Sequence, residues 1–139
     1  MNKEVYVLDA CALIAFLRKE EGCFDVAEIF EKASEKKCLV FIHTATIAEV
    51  YYDTLRVSDK KEADRIFITL NSLPIIFSTI LSNNFIQLIG FYKVNHKISF
   101  ADCFVLALAS IKKAVIISSD HHEFDDIEKS STLQFKWIR

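Results

Sequence analysis

Apolar positions along this chain fall into two alternating kinds of run. Short, dense runs rich in β-branched and aromatic residues occupy residues 5–8, 38–42, 74–77 and 114–117. They read as buried strands, with Pro74 suited to the first position of its strand. Residues 135–138 read as a fifth, at an edge. Longer runs with helical spacing separate them. One begins at Ala10, and Glu20-Glu21-Gly22 breaks the chain after it. The next covers 24–36, with Val26, Ile29, Phe30 and Ala33 on one side. Another covers 44–56, with Thr44 or Thr46 as its cap. Residues 59–73 place Ala63, Ile66, Phe67 and Leu70 together, 79–94 form a long helix, and 99–112, capped by Ser99, are apolar nearly all round. Strands alternating with helices predict an α/β fold: a parallel central sheet of four to five strands, helices on both faces, and right-handed crossovers.

The polar residues that interrupt these runs are few, and their positions matter. From Val5 to Leu17, twelve of thirteen residues are apolar and the exception is Asp9. It lies where a buried strand passes into a helix, and in an open α/β sheet that is the edge where ligands bind. An ionised carboxylate there is costly unless something pairs with it. Glu49 lies early in the helix after the second strand. Asp102 is the sole charge between Phe100 and Ile111, and Asp120 follows the fourth strand. Each acid also has an ordinary structural reading. Asp9 is a good helix cap. Thr46-x-x-Glu49 and Ser99-x-x-Asp102 fit the capping-box pattern, and Asp120 suits a turn or the cap of a short helix. Taken together, the four acids would meet at one edge, where mutual repulsion calls for a cation. Carboxylate oxygens suit Mg²⁺ or Mn²⁺.

Composition narrows the classes. The chain has 139 residues, 52% of them hydrophobic, with two Gly and one Pro, which predicts one compact domain over residues 1–139. A net charge of −2 neither suggests a strongly cationic nucleic-acid binder nor excludes local basic patches. Met1-Asn2-Lys3-Glu4 leads straight into a strand, so no secretory signal is expected. No apolar run is long enough to span a bilayer. Cys11, Cys23, Cys38 and Cys103 form no CxxC pair. They read as buried free thiols of a cytoplasmic protein, not zinc ligands.

The motifs then become specific as an ordered set. Leu8-Asp9-Ala10-Cys11-Ala12-Leu13-Ile14-Ala15 resembles the opening motif of PIN-domain ribonucleases. The segment around Glu49, then 98–109 with Asp102, and Ile117-Ser118-Ser119-Asp120-His121-His122-Glu123-Phe124 resemble the later acidic motifs in order and spacing. The likeness spans nearly the whole chain, and its small size resembles the VapC-type toxin branch. The resemblance implies a metal-dependent endoribonuclease with Asp9, Glu49, Asp102 and Asp120 as catalytic acids holding one or two Mg²⁺ or Mn²⁺ ions. It also implies an RNA substrate, a cognate antitoxin and a homodimer, with the helices at 24–36 and 59–73 available to a partner. Cys11 stands where the family often has a hydroxyl or amide, and a thiol is the weaker hydrogen-bond partner. Ser118 matches a common hydroxyl and would orient Asp120 or contact a water. Arg18, Lys19, Arg56, Lys93 and Lys97 are candidates for gripping phosphate, Arg18 and Lys97 foremost. His121 and His122 read as exposed loop residues, Trp137 as packed, and the twelve Phe as mostly core. A receiver-type phosphoacceptor is disfavoured, because neither the second nor the third strand ends in Asp. A PIN-like RNA-processing nuclease without an antitoxin and a non-catalytic PIN-like binding module remain alternatives.

Overall fold

Side chains alternate across the first strand, and that alternation divides the core in two. The computed structural model describes residues 3–139. Strands β1 (Glu4–Leu8), β2 (Cys38–His43), β3 (Ile76–Ser78), β4 (Val115–Ser118) and β5 (Gln134–Trp137) form one sheet in the order β3-β2-β1-β4-β5, every pair parallel. The α/β reading and the edge position of the fifth strand hold. Tyr6 and Leu8 of β1 and Ile117 of β4 face one layer; Val7 and Ile116 face the other. The first layer is filled from α1 (Ala10–Leu17), α2 (Cys23–Ser34), α3 (Thr44–Val57) and α4 (Lys60–Asn71). The second is filled from α5 (Asn83–Asn95), α6 (Phe100–Lys112) and α7 (His121–Ser130). Helix α6 is buried without interruption from Asp102 to Ala109, so it lies under the sheet and not on the rim.

Several local expectations change. Strand β3 starts at Ile76, two residues after Pro74. Helix α5 starts at Asn83 and not near Thr79, because the Ser82 hydroxyl accepts the Phe85 N–H at 3.3 Å and fixes the start there. Neither Thr44 nor Thr46 caps α3; the cap is His43, whose Nδ1 accepts the Ala45 N–H at 3.0 Å. Glu49 is therefore not part of a capping box. His121 and His122 are exposed but open α7, where a loop was expected. Of the twelve Phe, only Phe30, Phe85, Phe104 and Phe124 are buried; Phe24, Phe67, Phe77, Phe91 and Phe100 are exposed. All four cysteines are free, but only Cys38 and Cys103 are buried, while Cys11 and Cys23 are half-buried. Among the described residues, no helix is long and apolar enough to cross a membrane.

Candidate active site

Strand order reverses between β1 and β4, which opens a crevice at their carboxyl ends. The Asp9 N–H donates to the Ile117 carbonyl at 3.3 Å across this gap, closing the sheet beneath it. Asp9 is 1% exposed. Its Oδ1 accepts the Ala12 N–H at 2.7 Å and caps α1, while its Oδ2 accepts from the Ser118 hydroxyl. The same Ser118 oxygen accepts the Asp120 N–H at 2.9 Å. One fully buried hydroxyl thus ties the ends of β1 and β4 together. Asp120 caps α7 by accepting the Glu123 N–H at 3.1 Å through Oδ1. Its Oδ2 faces the Cys11 thiol at 3.9 Å. Asp102, in the first turn of α6, is held by Ser99, whose Oγ accepts the Asp102 N–H at 3.1 Å. Asp9 and Asp120 therefore do cap their helices, and Ser99 caps α6 as expected; the second oxygen of Asp9 is held by Ser118 and that of Asp120 faces Cys11.

The acids sense one another. Burial pushes the Asp9 carboxyl up to about 7; hydrogen bonds from Ser118 and Ala12 oppose this, and the charges of Asp102 and Asp120 add to it. Glu49, half-buried, is likewise pushed up to about 7 by burial and then by Asp102, Asp53, Asp120 and Glu123. Asp102 is pushed up to about 6 by burial, with Ser99 pulling down and Glu123 and Asp120 pushing up. Burial and then Asp9, Asp120, Asp102 and Glu49 hold the Cys11 thiol protonated well above its ordinary range. The four predicted acids and Cys11 thus share one electrostatic neighbourhood. Glu123 belongs to it too, a residue without an assigned role on sequence alone. Its spacing is the available signal: three residues after Asp120, it is placed by α7 on the same first turn.

The basic candidates are less uniform. Arg18, at the end of α1, is tied to Asp53 at 3.1 Å and Thr54 at 3.3 Å. Arg56 also bonds Asp53. Lys93 donates to the Ile98 carbonyl at 2.7 Å and so pins the link between α5 and α6. Lys19 and Lys97 are exposed, Lys97 two residues before the α6 cap. Trp137 is packed: it stacks on Phe135 and His121, and its Nε1 donates to Glu128.

Among the described residues, no three His, Cys, Asp or Glu side chains are drawn together closely enough to hold an ion as they stand. The donor chemistry nevertheless fits a hard divalent cation. Every acid offers oxygen, their charges oppose one another, and Glu123 Oε2 is buried without a hydrogen-bond partner. Two apolar cavities lie elsewhere, about 470 Å³ between α3, α4 and β3 and about 600 Å³ beside Phe16 and Phe24. Neither is lined by any of the four acids.

The family model of the PIN domain matches residues 6–130. No curated protein sequence matches the chain. Among solved structures, the DNA-bound VapBC of Salmonella typhimurium aligns with a TM-score of 0.71 at 14% identity, over 100% of both chains. VapBC2 of Rickettsia felis, bound to a fragment of its promoter, gives 0.70 at 14% identity, over 95% of this chain and 97% of that one. VapC20 of Mycobacterium tuberculosis, described as a toxin that cleaves the sarcin–ricin loop, gives 0.62 at 13% identity, over 80% and 86%. At these identities the likeness is one of fold.

Proposed function

The chain belongs to the PIN-domain family, and from that premise we propose that it is a metal-dependent endoribonuclease, the toxin of a toxin–antitoxin pair. The observation that supports this reading is that the charges of Asp9, Glu49, Asp102 and Asp120 act on one another, three of them with carboxyls pushed well above their ordinary range. A site that only capped helices would have no use for such costly charges. These four acids would hold one or two Mg²⁺ or Mn²⁺ ions, with Glu123 beside them. When bound, the metal supplies positive charge against the phosphodiester and makes water more acidic.

The chain's own residues prepare the rest. Ser118 and the Ala12 N–H fix both oxygens of Asp9, so its orientation is set before substrate arrives. Ser118 also fixes the backbone of Asp120, which extends its expected role from one acid to two. Cys11, protonated, orients Asp120 as a weak donor. Lys97, at the entrance of α6, is placed to meet a backbone phosphate, and Arg18 would do so from its seat on Asp53. Hydrolysis adds the oxygen of water to phosphorus and breaks the bond to the 3′ oxygen, which takes up a proton. The products carry 5′-phosphate and 3′-hydroxyl ends.

The toxin assignment is supported by the VapBC and VapC structures whose fold the chain shares. A cognate antitoxin and a homodimer in the cytoplasm go with that assignment, with residues 1–139 as one nuclease domain whose first two residues lie outside those described. Exposed Phe24 on α2 and Phe67 and Ile68 on α4 supply apolar surface for a partner. The test is cleavage of a mixed structured RNA with Mg²⁺, Mn²⁺ or EDTA, beside Asp9→Asn and Asp102→Asn. Metal-dependent cutting that both variants lose is expected. Cutting that persists in EDTA, or in Asp9→Asn at the wild-type rate, refutes the assignment.

A further inference from the structure

His43 is 2% exposed and every part of its ring is engaged. Nδ1 accepts the Ala45 N–H at 3.0 Å and caps α3. Nε2 lies 2.9 Å from the Ile80 carbonyl, in the link between β3 and α5. A carbonyl can only accept, so Nε2 carries the proton and Nδ1 is bare: the ring is the neutral Nε2–H tautomer. One ring face lies nearly parallel to Phe85 of α5, with centroids 5.2 Å apart and planes at 15°. Phe104 of α6 packs against the ring at 5.0 Å and 56°.

These contacts join two pieces of the acid crevice. Helix α3 starts at His43 and carries Glu49 six residues on. Helix α6 carries Asp102 two residues before Phe104. No backbone hydrogen bond links these two helices, because α3 leaves β2 while α6 arrives from α5. A hydroxyl cap, as the sequence predicted at Thr44 or Thr46, would satisfy the helix start but would not reach Ile80 or fill the space between two rings. The choice of imidazole is explained by the second and third tasks, not by the first.

We propose that His43 is a positioning residue that holds Glu49 and Asp102 in mutual register by clamping the start of α3 to the β3–α5 link and to Phe104 of α6. The inference rests on the reading of the crevice as a divalent-cation site. Small displacements of ligating groups are expensive, and losing the groups that orient metal ligands commonly costs tenfold to a hundredfold in affinity.

Two substitutions separate the tethers. His43→Asn keeps an acceptor near the Nδ1 position and loses Ile80 and the ring. His43→Gln keeps a donor near the Nε2 position and loses the cap. The measurement is Mn²⁺ affinity by calorimetry on the full chain, with thermal melts alongside. Each variant is expected to bind Mn²⁺ about tenfold more weakly. Ile29→Val, a core change in α2 on the other layer, is expected to lower the melting temperature and leave Mn²⁺ affinity unchanged. Affinities of both His43 variants within twofold of wild type overturn the proposal. Should either variant fail to fold, Phe104→Leu removes one ring contact without touching a hydrogen bond and carries the same test. A wild type that takes up no Mn²⁺ defeats the cation reading itself. In that case a crystal structure of His43→Asn decides the positioning, and an unchanged Cα separation between Glu49 and Asp102 overturns it.

Discussion

Asp102→Asn should make the protein more stable while destroying its activity, and the gain should depend on pH. Asp102 is 8% exposed, and its carboxyl is pushed from 3.8 up to about 6 by burial and by the charges of Glu123 and Asp120. A folded-state pKa above the unfolded value means the folded state prefers the protonated form. That preference favours folding fully below pH 3.8 and is lost as pH rises through about 6. Well above pH 6, holding the ionised carboxylate in place costs about 3 kcal/mol, at 1.36 kcal/mol per pK unit. Asparagine is nearly isosteric, keeps an oxygen for Ser99, and never ionises. In a chain of this size about 3 kcal/mol corresponds to a melting-temperature rise of about 5–10 °C at pH 8. At pH 4 the difference should close towards zero. The assay is a melt series from pH 4 to pH 8 in EDTA, so that no cation offsets the repulsion, with RNA cleavage measured in parallel. A variant no more stable than wild type at pH 8, or equally stabilised at pH 4 and pH 8, would falsify the account of why this carboxyl is perturbed.

The acids of the crevice imply that Mn²⁺ should raise the melting temperature strongly at pH 8 and little at pH 5, because ligation requires ionised carboxylates. At a hundredfold excess over its dissociation constant the ion should add about 2.7 kcal/mol, and an equal rise at both pH values would contradict the assignment. Gly22 has φ +94°, and a Cβ there would meet the Ile138 carbonyl at 2.7 Å. Gly22→Ala should therefore cost about 2 kcal/mol or more, from left-handed backbone strain and the clash together, read as a lower urea midpoint; an unchanged midpoint would show that the C-terminal residues are not docked there. Both ring nitrogens of His121 face acceptors, Asp125 at 2.7 Å and the Arg139 carbonyl at 2.8 Å, which favours the protonated ring and raises its pKa above 6.5, chiefly through Asp125. The ring stacks 3.9 Å from Trp137, the sole Trp. Trp emission should rise as pH passes through that raised value and the quenching imidazolium is lost, and a midpoint at or below 6.5 would rule the arrangement out.

The crevice was legible because its first wall is written in local sequence. An apolar run from Val5 to Leu8 ending in a lone Asp marks a strand buried on both faces and places Asp9 at its carboxyl end whatever follows. Asp102 was legible for a similar reason, as the single charge between Phe100 and Ile111 in a helix otherwise apolar nearly all round. Helix α7 was legible only at its start, where Asp120 suits the cap of a short helix; only Phe124 and Ile127 of its ten residues are buried, and two apolar positions do not make a period. The His43 cap was hidden by its neighbours: Thr44 and Thr46 are the better caps by type, and the partner that selects His43 is the carbonyl of Ile80, 37 residues away. Arg18 reads as a free cation until the fold brings in Asp53, 35 residues on. For His43 and Arg18 the missing fact is a contact between distant segments, which no local pattern encodes.

The capping and catalytic readings of the acids are not rivals, because the fold makes each depend on the other. Helices α1, α3, α6 and α7 all start at the same edge of the sheet, and each start presents N–H groups and the positive end of a helix dipole. Asp9 and Asp120 answer those N–H groups with one oxygen each, while the second oxygen of Asp9 accepts from Ser118 and that of Asp120 faces Cys11. The helix starts thus supply part of the positive field that lets buried carboxylates ionise at all, and hydrogen bonds do lower Asp9 against the effect of burial. The field is not enough: Asp9 and Glu49 still sit near 7. What the helices leave uncompensated is the charge a divalent cation would complete. A single capping acid would need no such completion. Acids whose charges raise one another's pKa across the ends of several helices do, which is why their shared neighbourhood says more than any one of them.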